Sequence, residues 1–408
     1  MIDVQARIHS FFIFNSNFGP KEGEELKRII FYYPNDVSPE AKKMQVGLCE
    51  AVVKFMTTFS SEPCEALQTQ SKRYIFYQPE KDYWMVLVAR IPYCTKSVVP
   101  GGDNPADVIH PVVMCNLLRS AYNMFVMFHE PLSQHSGEEL SQQCHDFFTP
   151  YIAARSLTNE FADIIQGISY LPLDKCTFFK VLCFLDLMET SYPTLTCVAF
   201  LYRDQLIWNG LSISDTLTLY QYLLGLGSGE EGRAVRRGTP AMPLVRYTRA
   251  GVSVCFTVQV NEETGDEMLE SISSFMSPHI SSIASAVGER GERGVERRAE
   301  GDHHYLYYNR LNLAIKSSQH WSRVEPRSGL KTEVLNIVAG IHADRESLGN
   351  YGELTIKTTD EFWITGKCSN DREFYVVIYQ KNANLKEIAD EVKRVCDAQM
   401  KGIFFHPT

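Results

Sequence analysis

The sequence predicts an α/β protein of the α+β type, in which a small module of strands and amphipathic helices is repeated along the chain. The C-terminal region shows the module most clearly, because three strand-like runs are followed there by one amphipathic helix. A weaker form of this plan recurs twice earlier. Each region also carries a tryptophan in a strand-like run, namely Trp84, Trp208 and Trp363. Three ordinary core tryptophans are the alternative reading of that last observation.

The C-terminal module is predicted as a meander with strands at Tyr351–Ile356, Glu361–Gly366 and Glu373–Tyr379. β-Branched and aromatic residues fill these runs, and polar turn formers separate them. Asn384 is placed to cap the following helix, with Glu387 three residues later as its capping-box partner. A sheet with a helix packed against it is therefore expected here.

The first module is predicted to begin with strands at Ile8–Phe14 and Lys27–Tyr33, joined by the turn-rich loop Asn15–Glu25. A helix should follow, because Ser38 can cap it and Pro39 suits its first turn. Its apolar residues share one face at helical spacing: Met44, Leu48, Ala51, Val52, Phe55 and Phe59. The module is then completed by strands at Arg73–Tyr77 and Tyr83–Ile91 and by helices near Ala106–His129 and Gly137–Ser156.

The second module is predicted to end at Val287. Residues Phe178–Glu189 fit either a linking helix or a strand. The remaining predicted elements are a hairpin at Leu195–Tyr202 and Gln205–Gly210, a helix at Ser214–Leu224, a linker at Gly225–Pro243, a strand at Val252–Val260 and a helix at Glu267–Val287.

A charged segment of low complexity separates the second module from the third. Residues 288–302 repeat glycine, glutamate and arginine, a composition that cannot bury a core, so a flexible linker is predicted. The third module begins at His303, with helices expected near Asn309–Ser318 and Leu330–Ile341 before the meander.

Composition limits the possible functions. The chain has 408 residues and a net charge of −9, and this acidic balance argues against a nucleic-acid partner, which would need a basic surface. Its eleven cysteines include no CxxC pair, as is typical of a reducing compartment. Neither a signal peptide nor an apolar run of roughly 20 residues is found, so we expect a soluble, cytoplasmic protein with at most peripheral membrane contact.

One weak match to a cofactor motif is present. Gly227–Gly232 satisfies GxGxxG, but it follows a helix and contains Glu230 and Glu231, which would repel phosphate. A linker is therefore the better reading. The sequence has no phosphate-binding GxxxxGK[ST], no GxSxG and no HExxH, and we predict no catalytic residue, cofactor or metal site. An enzyme whose site is assembled only in space is the alternative.

Two regions of the first module are candidate binding surfaces. The loop Phe18–Glu25 combines mixed charge with turn-forming residues, although an ordinary hairpin loop would look similar. The helix that begins at Ser38 carries Glu50 and Lys54 away from its apolar face, although a solvated helix face would do the same. Both regions favour a protein that binds partners.

Several long and distinctive strings are spread over nearly the whole chain: Phe11–Ser16, Gly19–Glu25, Val46–Ala51, Phe200–Trp208 and Gln380–Leu385. Together they resemble the vacuolar fusion protein CCZ1 family. The resemblance implies three longin domains, each an antiparallel sheet of about five strands with helices on both faces. We therefore expect a first longin domain at 1–165, a second at 166–287, a linker at 288–302 and a third at 303–408. The second domain is expected to be shortened, because no strand is recognised around Tyr247–Gly251.

The resemblance also implies a function. Family members pair with MON1, a second longin protein, and the heterodimer is a guanine-nucleotide exchange factor for the GTPase Rab7 on late endosomes and lysosomes. Peripheral contact with anionic endosomal membrane is expected. The residues expected to contact MON1 or Rab7 are Asn15, Gly19, Lys21, Glu22, Glu50 and Lys54. A longin subunit of another trafficking complex, such as the Hermansky–Pudlak exchange factor or an adaptor, is the alternative.

Overall fold

The computed structural model describes most of the chain. The described residues are 7–59, 64–90, 109–154, 161–225, 231–232, 234–238, 243–258, 265–295, 303–318, 330–349 and 351–400. They form three β-sheets with associated helices. The chain divides into two compact units, Met1–Ile164 and Ile165–Thr408, and the second unit contains two of the sheets.

The first sheet has five antiparallel strands. They are β1 (Arg7–Asn15), β2 (Ile29–Tyr33), β3 (Ala66–Gln68), β4 (Lys72–Glu80) and β5 (Tyr83–Arg90). Their order across the sheet is β2-β1-β5-β4-β3, so β1 and β5 lie inside the sheet while β2 and β3 form its edges.

Helices cover both faces of this sheet. They are α1 (Pro39–Phe59), α2 (Pro111–His129), α3 (Gly137–Ala153) and the short α4 (Phe161–Ile164). Phe12 and Phe14 point toward α1, whereas Phe11 alternates to the other face and contacts Phe148 of α3, with ring centroids 5.4 Å apart. Because both faces are covered, β5 is buried along nearly its whole length.

The second module is more complete than its sequence predicts. Its elements are β6 (Ile168–Ser169), α5 (Lys175–Ser191), β7 (Leu195–Tyr202), β8 (Gln205–Asn209), α6 (Ile213–Gly225), β9 (Ala234–Gly238), β10 (Pro243–Arg249), β11 (Val252–Val258) and α7 (Asp266–Val295). Five of these strands form an antiparallel sheet in the order β8-β7-β11-β10-β9. The expectation of a shortened domain is therefore wrong, and the ambiguous segment Phe178–Glu189 is helical.

Two missed strands explain that error. Strand β10 includes Tyr247, in the stretch where no strand was recognised, and its polar Arg246 and Thr248 are nevertheless buried. Strand β9 lies within the predicted linker Gly225–Pro243 and forms a sheet edge, where polar residues are tolerated. Helix α7 also continues to Val295, into the predicted linker 288–302, and residues 296–302 lie outside the described residues.

The third module follows. Its elements are β12 (His303–Asn309), β13 (Ala314–Ser317), α8 (Thr332–Ala343), α9 (Arg345–Leu348), β14 (Tyr351–Lys357), β15 (Phe362–Ser369), β16 (Arg372–Tyr379) and α10 (Leu385–Gln399). The predicted meander is confirmed, and Asn384 and Glu387 form the predicted capping box. The helix expected near Asn309–Ser318 is wrong, because β12 and β13 pair there as a hairpin.

The three sheets repeat one topology. The third sheet has the order β14-β15-β16-β12-β13-β6, which matches the other two sheets once the added β6 is set aside. The tryptophans, in contrast, are not at equivalent places, since Trp84, Trp208 and Trp363 lie on the fifth, second and fourth strands of their modules. Helices α1, α6 and α8 are equivalent because each follows the second strand of its module.

Candidate partner-binding surface

The loop between β1 and β2 contains four of the residues predicted to bind a partner. Asn15 is buried, and its Oδ1 accepts a hydrogen bond from the backbone N of Asn17 at 2.9 Å. Gly19 has a φ of +56°, and an added Cβ would lie 2.3 Å from the backbone oxygen of Glu24. These two residues therefore shape the loop, whereas Lys21 and Glu22 are exposed on it.

Glu50 is buried rather than exposed, contrary to the sequence prediction. Its two carboxylate oxygens lie 2.7 Å from the guanidinium of Arg28 and 2.6 Å from Nζ of Lys54. Arg28 also donates to the backbone oxygen of Phe18 at 3.2 Å. The ion pair therefore holds the loop against α1, and of these three side chains that of Lys54 is the most exposed.

A second ion pair holds the same loop on α1. The Glu25 carboxylate lies 3.1 Å from Nζ of Lys43. Backbone hydrogen bonds and the nearby lysine lower the pKa of Glu25 to about 2, so it is ionised at neutral pH. Lys43, Glu50 and Lys54 recur at helical spacing along one flank of α1. The loop therefore lies along that flank.

The side of α1 beside this flank is apolar and exposed. We call it the α1 stripe, and it consists of Met44, Leu48, Ala51, Phe55 and Phe59. Met44, Leu48, Phe55 and Phe59 keep 76, 50, 63 and 74% of their surface exposed. From Met44 to Phe59 the stripe runs for about 22 Å at the normal rise of a helix. A continuous apolar strip of this kind is typical of a protein interface.

The sequence identified these apolar residues but not their environment. The face of α1 that packs on the sheet carries Val46, Cys49 and Val53, and these are its buried apolar residues. Helix α1 therefore has two apolar faces, and only one can face the sheet. The sequence did contain a signal for this exposed face, namely the apolar residues beyond those needed to pack on the sheet. A helix that is apolar on both sides needs a second surface to cover it.

The equivalent helices of the other modules differ from α1. In α8, Val334, Leu335, Val338 and Ile341 are buried, and Ile337 is partly buried. In α6, which is short, Leu219, Tyr220 and Leu223 are buried, Leu217 and Leu224 are partly buried, and Ile213 at its start is exposed. Among these three helices, as far as they are described, α1 has the longest exposed apolar strip.

A buried charge cluster in the third module is the clearest titratable cluster outside this surface. The Glu373 side chain is fully buried, its Oε2 accepts from the Tyr375 hydroxyl at 2.6 Å, and His342 Nδ1 lies 2.6 Å from the same oxygen. Arg345 Nε lies 3.1 Å from Glu373 Oε1 and forms an ion pair with it, but the two atoms are not aligned for a hydrogen bond. Burial raises the pKa of Glu373, but the hydrogen bonds and charges of His342, Tyr375 and Arg310 outweigh it and leave the pKa lowered.

This cluster connects α8 and α9 to the sheet, so a structural role explains it. Within the described ranges, no group of three or more histidine, cysteine, aspartate or glutamate side chains is arranged to hold a metal ion. The described helices include none that is both long and apolar enough to cross a bilayer.

Comparison with known proteins places this surface in a family context. Residues 8–130 match the family model "First Longin domain of INTU, CCZ1 and HPS4", and residues 299–395 match "Intu longin-like domain 3". The chain is 33% identical to the vacuolar fusion protein CCZ1 homolog of Nematostella vectensis over 97% of both chains. It is 32% identical to the Danio rerio homolog, over 97% of this chain and 95% of that one, and 26% identical to the Dictyostelium discoideum homolog, over 98% of each.

The chain belongs to the CCZ1 family. The first longin match contains β1 to β5, α1 and α2, so the α1 stripe and its flanking loop are part of the first longin domain. Because the other two modules repeat the same strand order, this CCZ1-family chain consists of three longin-like domains.

Proposed function

We propose that this CCZ1-family chain is one subunit of a heterodimeric guanine-nucleotide exchange factor for the late-endosomal GTPase Rab7. Its partner would be a MON1-type longin protein. The pair would act in endosome maturation, autophagosome fusion and traffic to the lysosome or vacuole. Relatives named as vacuolar fusion proteins support this role, and the exposed α1 stripe is the observation on which the proposal rests.

The α1 stripe is the proposed docking site for the MON1-type partner. Four large apolar side chains on one helix face would leave water together when a partner covers them, and this burial is the main favourable term in protein association. The other face of α1 is already packed on its own sheet, so the stripe is available without any change in the first domain.

The flank beside the stripe is the proposed contact for Rab7. Lys21, Glu22 and Lys54 are exposed there, and they stay in the proposal as direct contacts. Asn15, Gly19 and Glu50 take an indirect role, because they fix the loop that carries Lys21 and Glu22. A partner on the stripe would extend this charged flank into a surface made by both subunits.

Exchange by this pair would need no covalent chemistry. The joint surface would bind Rab7 more tightly in its nucleotide-free state than in its nucleotide-bound state, and this difference would weaken the hold on the nucleotide and Mg²⁺. A thousandfold faster release requires about 4 kcal/mol of differential binding. A few charge-assisted hydrogen bonds, each contributing roughly 1.5–3 kcal/mol, are sufficient.

The domain limits form part of the proposal. Residues 1–165 would carry the docking and Rab contacts, and two further longin domains would follow, the second extending to the end of α7 at Val295 and the third beginning at His303. The pair would act on late endosomes and lysosomes through peripheral contact with anionic membrane.

The test measures release of a fluorescent guanine nucleotide from Rab7 by this chain alone, by the MON1-type protein alone and by the co-purified pair. We expect rapid release only with the pair. The double charge reversal Lys21→Glu with Glu22→Lys should slow release without preventing co-purification. Release by this chain alone at the rate of the pair would contradict the shared surface.

A second candidate is a longin subunit of a Hermansky–Pudlak-type exchange factor. One observation favours it, namely that the matched model of the first longin domain also describes HPS4. Co-purification with a Hermansky–Pudlak longin chain in preference to the MON1-type protein would support this alternative.

A further inference from the structure

The segment Gly167–Leu171 lies ahead of the second sheet in the sequence, yet it pairs with strands of both the second and the third longin domains. It contains β6 and connects α4 to α5. Ile168 in this segment is fully buried, which is unusual for a connection between domains.

One edge of the segment pairs with the third sheet. The backbone N of Ile168 donates to the backbone oxygen of Leu313 at 2.7 Å. Ile168 and Ser169 then run parallel to β13, opposite Ala314 and Ile315. The segment is therefore the sixth strand of the third sheet, although more than a hundred residues separate it from β13 in sequence.

The opposite edge pairs with the second sheet. The backbone N of Leu171 donates to the backbone oxygen of Leu206 at 2.9 Å, and Tyr170 forms a parallel bridge with the same residue. The amide of Gln205 also donates to Ser169 Oγ at 3.2 Å. In an extended chain, amides three residues apart point to opposite sides, so Ile168 and Leu171 bond to two different sheets.

The segment pairs with the equivalent strand in each of the two sheets. Strands β8 and β13 are each the second strand of a longin domain, and each would end its sheet if the segment were absent. An open edge exposes unpaired backbone groups and invites pairing with other chains. The segment therefore protects two edges at once.

The pairing of the segment with the third sheet leaves no space for a side chain at Gly167. A Cβ added to this residue would lie 2.3 Å from Cγ2 of Ile315 and 2.9 Å from the backbone oxygen of Leu313. Ile315 is itself buried, so it has little freedom to move aside. A glycine at residue 167 is thus required for the close approach of the segment to β13.

We infer that Gly167–Leu171 is a coupling strand that makes the second and third longin domains one cooperative body. When the segment leaves its place, both β8 and β13 lose an edge partner, so the two sheets open together. This inference does not depend on the proposed exchange activity, because it concerns only contacts within the chain.

Hydrogen exchange of the full chain, followed by mass spectrometry, tests the inference. The substitution Gly167→Ala should speed exchange at least about tenfold in peptides covering both β8 and β13, with β1 and β5 of the first domain unchanged. Gly265→Ala is the matched control, because no atom lies within 4 Å of its added Cβ. Faster exchange in only one of the two strands would overturn the inference.

A milder change made on the second sheet gives an independent test that does not require the first variant to fold. Gln205→Ala removes the hydrogen bond between β8 and Ser169, so it acts directly on β8 and on the segment but changes no residue that pairs with β13. If the two domains are coupled, exchange at β13 should also rise, by roughly two- to fivefold. Unchanged exchange at β13 together with faster exchange at β8 would show that the domains open separately.

Discussion

The α1 stripe gives the most direct prediction about assembly. When Phe55, which is 63% exposed, is covered by a partner, its remaining surface contributes about 1–2 kcal/mol to binding. The same reasoning applied to Met44, Leu48 and Phe59 gives about 4–8 kcal/mol for the stripe, before the costs of association are subtracted. The stripe is therefore large enough to carry much of a stable contact.

The substitution Phe55→Asp should weaken this contact strongly. It removes the contribution of the phenyl ring and places an unpaired carboxylate in the interface, whose desolvation adds roughly 2 kcal/mol or more. We expect a total loss of about 3–4 kcal/mol, which is a rise in the dissociation constant of roughly a hundred- to a thousandfold. Phe55 is exposed in this chain, so the stability of the first domain should change by only about 0.5 kcal/mol.

The assay is mass photometry of the pair with the MON1-type protein, diluted over a range of concentrations. Phe179→Asp is the control, because Phe179 is a helical phenylalanine of nearly equal exposure, 61%, on α5. Circular dichroism of both variants confirms that the chain is folded. If the pair that contains the Phe55→Asp chain dissociates at the same protein concentration as the wild-type pair, the α1 stripe is not the docking site.

Three further substitutions test the framework around these surfaces. Glu373→Gln should lower the free energy of unfolding of the Ile165–Thr408 unit by about 1–3 kcal/mol, because the amide cannot match the charge of the surrounding cations. Glu50→Ala should lower the free energy of unfolding of the first domain by about 1–3 kcal/mol and speed hydrogen exchange of the β1–β2 loop, because Arg28 would no longer have a carboxylate partner. Gly19→Ala should destabilise the same loop by about 1–3 kcal/mol through its left-handed backbone and the contact with Glu24, measurable by thermal unfolding.

The Glu373 prediction has a defined pH dependence. Its pKa is lowered in the folded protein, so its contribution is fully present above the unfolded value of about 4.5 and is lost as the pH falls through the folded value. The difference in stability between wild type and Glu373→Gln should therefore shrink as the pH falls below this unfolded value. Glu353→Gln is the surface control, since its carboxylate pairs with Lys367 at 3.5 Å while partly exposed and should contribute at most about 1 kcal/mol. If Glu373→Gln and Glu353→Gln lowered the free energy of unfolding equally, burial of Glu373 would not be the source of its larger contribution.

Local patterns predicted the elements that carry strong local signals. The capping box at Asn384 and Glu387 was readable because both residues act within one helical turn. Strand β5 was readable because an uninterrupted apolar run is typical of a strand covered on both faces. Strand β10 was missed because Arg246 and Thr248 interrupt its apolar pattern, and only the surrounding sheet shows that they are buried.

The sequence by itself determined the repeated α/β module, the family resemblance and the region of the first domain where partners are expected. Tertiary structure alone decided which face of α1 meets the sheet, because a helix with two apolar faces gives no local signal for the choice. It also decided that Glu50 is buried against Arg28 and that Gly167–Leu171 joins two distant sheets. Contacts between residues far apart in sequence set these features, and no periodicity within a single segment encodes them.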